Sequence, residues 1–326
     1  MELREPRRRN PVKLKLLGHQ NMAPTKIRIA LDWTPNTIHS GLYLAKEKGI
    51  YQRHGLDVEL LPPDAGYSKT PAKRVESGEV DLAICPSESC IAYNEGGKMK
   101  LQAIYAILQK NASAIVGTKL NSMRELGNGG KYGSYNAKYE DAIVKEMVQI
   151  DGGDCNKVQV ESNHGKLSLF DAVKDGCIDA TWIFVPWEGV EAQMEHVDTK
   201  HFLLEDYGIP YGYSPVIARN AAKSPADDIL SAFVAATREG YEHAMKHPHE
   251  AADILHHVTT PQRSKDFLHK SQASINNFYI DLGQKPGFMD STKWTAWLKW
   301  LKDHGLLTGP EEIVEQDIFT NYFARE

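Results

Sequence analysis

Four residues capable of directed chemistry crowd into the stretch LDWTPNTIHSGLY, Leu31 to Tyr43: Asp32, Trp33, Asn36 and His39. A carboxylate, an indole, an amide and an imidazole exceed what a turn requires, because one or two Gly, Pro or Asn residues make a turn. The stretch begins like the end of a buried strand and finishes like the start of a helix, so it reads as the mouth of a site. Three other stretches carry a similar mixture. CPSES supplies Ser87 and Ser89, SYN supplies Ser134, Tyr135 and Asn136, and VPWEG supplies Trp187 and Glu188. Tyr213, in a further loop, is placed to shut a cleft alongside Tyr135.

Aromatic faces with a few polar groups between them suit a planar, polar, heteroaromatic ligand. Glu188 can accept from an exocyclic amine or a protonated ring nitrogen while Trp187 stacks on the ring. Helix N-termini beyond Asn36, Ser87 and Asn136 offer N–H groups to a phosphate or another anion. Each residue also has a plain structural reading. Trp33 fits as cover at the core edge, Glu188 as an acid favoured at a helix N-terminus, and His39 as a satisfied buried histidine. Asp81 and Asp179 occupy matching strand positions and read as structural.

Familiar catalytic constellations are missing: the sequence holds no GxSxG elbow, no GxxxxGK[ST] loop and no HExxH helix. His243 and His247 are spaced i,i+4 and could face a metal together, but no cysteine or fixed carboxylate accompanies them, so a solvated helix face is the simpler account. No metal site is expected.

The elements that must position these loops follow from hydrophobic period and punctuation. KIRIAL is a strand, HSGLYLAKEKG a helix closed by Gly49, LDVELLP a strand, KTPAKRVESG a helix closed by Gly78, and Val80–Ile84 a strand. This β-α-β-α-β order predicts an open α/β sheet, and ligands bind beyond the carboxyl ends of such strands. A second unit repeats the order: a short strand, a helix with Asn136 as its N-cap, the strand KVQVES, a helix ending at Gly176, and a strand from Ile178 to Phe184. SGEVDLAI and DGCIDATWI echo each other in glycine, β-branched residue and aspartate. Beyond Ala221 the chain turns helical. Crossings near Ser113–Gly117 and Tyr213–Val216 divide it into a tail over 1–25, a first lobe over 26–115 plus 217–326, and a second over 116–216.

Composition sets the class. The chain has 326 residues, 41% hydrophobic and 25% charged, with a net charge of −5. Such a balance gives no basic face for nucleic acid. No run reaches the roughly 18–20 apolar residues of a membrane span. The basic segment MELREPRRRNPVKLKLLGHQNM lacks a signal-peptide apolar core, and its Glu2 and Glu5 do not suit a mitochondrial transit peptide. A cytoplasmic location is therefore expected. Cys85, Cys90, Cys155 and Cys177 lack CxxC spacing and are expected as buried thiols, not as a disulfide framework.

These segments also carry a resemblance. LDWTPNTIHSGLYLAKEKGIYQRHGLDVEL, SGEVDLAICPSESCIAY, KYGSYNAKYEDAIVKEM, WIFVPWEGVEA and GFMDSTKWTAWLKWL are similar to the NMT1/THI5-like group of periplasmic-type binding proteins, in particular its formylaminopyrimidine binders. The resemblance implies an α/β, two-lobed periplasmic-binding-protein-like fold of type II, each lobe an open α/β sheet with flanking helices. It implies a small-molecule aminopyrimidine, free or phosphorylated, between the lobes, in thiamine biosynthesis or salvage. It places Asp32, Trp33, Asn36, Tyr135, Trp187 and Glu188 near that ligand. The fungal branch of the group is a pyrimidine synthase that uses pyridoxal phosphate on a lysine, a nearby histidine and a cysteine-rich iron motif. Here Cys85 and Ser89 stand at the first two positions and YGIPYGYSPV at the third, so binding without a cofactor is the expectation. A divergent synthase and a riboflavin-type binder are the alternatives.

Overall fold

The computed structural model describes residues 23–162 and 164–324. The N-terminal segment expected as a tail lies, as far as residue 22, outside the described residues. Among the described residues, ten strands form two five-stranded sheets: β1 (Thr25–Ala30), β2 (Leu56–Leu61), β3 (Leu82–Cys85), β4 (Leu101–Ala106), β5 (Ser113–Gly117), β6 (Lys131–Gly133), β7 (Gln159–Glu161), β8 (Ala180–Phe184), β9 (Lys200–Leu203) and β10 (Val216–Asn220). Among the described residues, the α-helices of six residues or more are α1 (Ser40–Glu47), α2 (Pro71–Glu76), α3 (Ser87–Glu95), α4 (Glu140–Ile150), α5 (Leu169–Lys174), α6 (Asp227–Lys246), α7 (Pro248–His256), α8 (Lys265–Ile275) and α9 (Ser291–Asp303).

The first sheet runs β2-β1-β3-β10-β4, the second β7-β6-β8-β5-β9. In the first, β1 pairs in parallel with β2 and β3, while β10 lies antiparallel between β3 and β4. In the second, β6 pairs in parallel with β7 and β8, while β5 lies antiparallel between β8 and β9. The two sheets thus share one plan, and each takes its antiparallel strand at a point where the chain passes between lobes. Ser113–Gly117, expected as a crossing, is itself the strand β5; the crossing precedes it, after Ala106.

The sequence echo has a geometric cause. Asp81 carboxylate Oδ2 accepts the Arg28 N–H at 2.8 Å, and the Asp81 N–H donates to the Arg28 carbonyl at 2.9 Å. Asp179 makes the same pair with Lys131, at 2.8 and 2.9 Å. Each aspartate therefore clamps two parallel strands together, β1 to β3 in the first lobe and β6 to β8 in the second, just before β3 or β8 begins. Gly78 and Gly176, with φ of +74° and +72°, reverse the chain after α2 and α5 so that the aspartate follows in register.

The helix expected to begin from Asn136 starts later, at Glu140. Asn136 has φ +59° and sits within a loop, not at an N-cap. Glu140 bends its own carboxylate back onto that loop, which delays the helix. The C-terminal helices cover both lobes' shared side. Trp294 and Trp297 of α9 are fully buried, and Trp297 meets Tyr139 of the second lobe edge-on at 6.5 Å. Helices α1 and α6 cross at two glycines: a Cβ on Gly240 would meet the Gly41 carbonyl oxygen at 2.2 Å.

Candidate functional site

The loop after β1 is built around a cap. Asn36 Oδ1 accepts the Ile38 N–H at 2.8 Å, and His39 Nδ1 accepts the Asn36 N–H at 3.3 Å. A backbone N–H can only donate, so Nδ1 holds the lone pair and Nε2 carries the proton. That proton goes to Asp32 Oδ1 at 2.8 Å. His39 is fully buried and aims Asp32 from behind, outside the cavity wall. The Tyr67 hydroxyl donates to the Asp32 carbonyl at 2.7 Å, which sets its ring 5.9 Å from Trp33. Trp33 in turn meets Tyr135, from the other lobe, edge-on at 5.8 Å.

Between these loops lies a cavity of about 350 Å³, within the size of ordinary small-molecule sites. Its walls come from the carboxyl ends of β1 and β3 on one side and of β6 and β8 on the other. Aromatic rings dominate: Trp33, Tyr67, Tyr135, Trp182, Trp187 and Tyr211. Trp182 leans on Tyr211 at 5.1 Å, and Trp187 is backed by the edge of Phe267 at 4.7 Å and by the Arg263 guanidinium at 5.6 Å. Packing on that far side fixes the Trp187 indole as a rigid wall.

Three carboxyl groups enter this apolar space from α3, from the start of α4 and from the wide turn Val185–Gly189 after β8. Burial pushes Glu88 up to about 8; repulsion from Glu140 adds to this, and a hydrogen bond from Tyr211 opposes it. Burial also pushes Glu188 up to about 7, although its Oε2 accepts the Phe184 N–H at 3.0 Å. Glu140 is raised by burial as well, against three donors: the Tyr132 hydroxyl at 2.8 Å, Tyr135 N–H at 3.0 Å and Ala137 N–H at 3.1 Å. Near neutral pH, Glu88 and Glu188 can therefore each donate or accept a proton at little cost.

The expected residues divide into two groups. Asp32, Trp33, Asn36, Ser89, Tyr135, Asn136, Trp187 and Glu188 line the cavity. His39, Ser87 and Tyr213 do not. Ser87 is fully buried, and its N–H donates to the Tyr213 carbonyl at 2.8 Å. The Tyr213 hydroxyl accepts the Asp290 N–H at 2.7 Å, which locks the ring into the core beside Trp294 instead of across a cleft. Glu88, Glu140, Tyr67, Trp182 and Tyr211 line the cavity without having been singled out. For Glu88 a signal existed, since it lies inside the strand-end loop CPSES. Cys85 also faces the cavity, with its thiol pushed well up by the adjacent Cys90 thiol and by burial. His243, read as part of a solvated helix face, hydrogen-bonds Glu250 at 2.6 Å.

Comparison with known proteins fits this geometry. The family description "NMT1/THI5 like" matches residues 36–251, about two thirds of the chain. The chain belongs to the NMT1/THI5-like family. A formylaminopyrimidine-binding protein of Halalkalibacterium halodurans is 25% identical over 313 residues, covering 90% of this chain and 89% of that one. A 4-amino-5-hydroxymethyl-2-methylpyrimidine phosphate synthase of Saccharomyces cerevisiae is 33% identical, but over 63 residues, 19% of this chain and 18% of that one. Among solved structures, the alkanesulfonate-binding protein SsuA of Xanthomonas axonopodis pv. citri superimposes with a TM-score of 0.69 at 12% identity, covering 92% of this chain and 99% of that one. The family member has the two-lobed α/β binding fold.

Proposed function

We propose that this family member binds a thiamine-type aminopyrimidine in the cavity between its lobes. The observation that carries the reading is the pair Glu88 and Glu188, two buried carboxyls poised near neutrality among aromatic walls. An aminopyrimidine presents ring nitrogens that accept and an exocyclic amine that donates. A carboxyl able to hold or release a proton meets either edge, while Trp33 and Trp187 bound the ring faces. The formylaminopyrimidine-binding relative, matched along most of both chains, adds support.

Calorimetric titration tests this. Hydroxymethylaminopyrimidine or formylaminopyrimidine should bind, and riboflavin and pyridoxal phosphate should not. Glu188→Gln is the sharper variant than Ala, because the amide keeps an acceptor for the Phe184 N–H. It should weaken pyrimidine binding by about 1.5–3 kcal/mol, the usual worth of a hydrogen bond to a charged group. Unchanged affinity in that variant would remove Glu188 from the contact, and binding of riboflavin instead would replace the ligand class.

A further inference from the structure

We propose that the cavity accepts neutral or cationic heteroaromatic amines and turns away their phosphate esters, because the loop between β6 and α4 already holds an anion of its own, the Glu140 carboxylate. The inference rests on the aminopyrimidine reading and narrows it to unphosphorylated ligands.

Consecutive backbone N–H groups in a tight loop form a concave receptor for phosphate or carboxylate. The turn Tyr135–Ala137, which contains the left-handed Asn136, has that form and borders the cavity. Its donors are consumed from within. Glu140 takes the Tyr135 and Ala137 N–H groups, and Ser134 Oγ takes the Asn136 N–H at 3.0 Å. The other two loops are committed in the same way. Asn36 and His39 close the turn after β1, while Ser87 and Ser89 at the start of α3 donate to the Tyr213 and Pro86 carbonyls.

Side-chain charge points in the same direction. Asp32, Glu88, Glu140 and Glu188 border the cavity against two lysines, Lys138 and Lys166. Lys138 is paired with the buried Glu95 carboxylate, and Lys166 lies over the Tyr67 ring at 5.3 Å. A phosphate entering here would meet the Asp32 and Glu140 carboxylates in a poorly solvated space, and like-charge juxtaposition is how sites reject a competitor. Glu140 is on this account a specificity residue that acts by occupying a receptor.

The test uses hydroxymethylaminopyrimidine, its monophosphate and inorganic phosphate, followed by calorimetry and by the amide resonances of Tyr135 and Ala137. In the wild-type protein at neutral pH the ester should bind at least about tenfold more weakly than the free alcohol, a factor easily read by titration. Inorganic phosphate should leave both amides unmoved. Glu140→Ala empties the loop, so phosphate should then shift both amides and the ester should recover affinity. Equal or tighter ester binding by the wild type, phosphate shifts in the wild type, or no phosphate response in a folded Glu140→Ala protein would each overturn the inference. If neither pyrimidine binds while the phosphate contrast holds, the aminopyrimidine reading falls and the exclusion stands. Should Glu140→Ala not fold, the wild-type comparison decides alone.

Discussion

Glu88 makes the unliganded protein sensitive to pH in an unusual direction. Its carboxyl has an ordinary value of 4.5 and reaches about 8 when folded. Between those values the folded state holds a proton that the unfolded state has lost, so stability falls as pH rises. The contribution is complete below the unfolded value and is lost by the time pH has passed about 8. Glu188 acts in the same sense up to about 7. Chemical denaturation at a series of pH values should show this decline, at up to about 1.4 kcal/mol per pH unit per group. Glu88→Gln should lessen it, and Glu88→Gln with Glu188→Gln should lessen it further, leaving the part that Glu140 carries in the same sense. Parallel curves for wild type and variants would mean that neither group carries the effect. Sequence reasoning found Glu188 because an indole stands beside it, and passed over Glu88 and Glu140. The rule that ligands bind beyond strand ends selects loops; it does not say which loop side chains turn inward. Glu140 was hidden further, since an acid at the start of an amphipathic helix is favoured by the helix dipole alone.

Strands and helices were far easier to read than side-chain direction, because period and glycine punctuation are local signals. The repeated order of glycine, β-branched residue and aspartate foretold two lobes of one plan, and the Asp81 and Asp179 clamps explain why the order recurs. The start of α4 was misplaced because Glu140 reaches back over its own loop, a competition between side chain and helix that spacing does not reveal. Nothing in the pattern warned that two helices touch backbone to backbone. At Gly240 even one methyl group must displace the Gly41 carbonyl, which cannot rotate away as a side chain would. Gly240→Ala should therefore destabilise the protein by about 1–3 kcal/mol, the usual cost of overpacking, despite alanine's better helix propensity. Thermal and chemical melts would measure it. A variant as stable as wild type would show that α1 and α6 can separate freely.

At the scale of the whole molecule, two sets of contacts join the lobes. In one, Glu95 of α3 accepts the Tyr139 hydroxyl at 3.1 Å and pairs with Lys138 of the second lobe. In the other, the Thr37 hydroxyl meets Ser271 Oγ of α8 at 2.7 Å, and Ser271 donates to the Pro186 carbonyl at 2.5 Å. Glu95→Gln keeps the shape of the first contact and removes its charge, weakening hydrogen bonds worth about 1.5–3 kcal/mol each when charged. Without ligand this variant should show a larger radius of gyration by X-ray scattering and faster amide exchange at Tyr139. Saturating pyrimidine should reverse both. Scattering identical to wild type would assign closure to the α8 side alone.

The strand β10 has a consequence for how the chain comes into being. It is the link through which β4 joins the first sheet, yet it lies more than a hundred residues further along than β4. The second sheet, by contrast, draws all five of its strands from one continuous stretch, β5 to β9. During synthesis from the N-terminus, the lobe that begins first must wait for the lobe that begins second. A nascent chain halted shortly after β9 would carry a completed second lobe and a first lobe still open at its centre, its edge strand waiting for a partner not yet made.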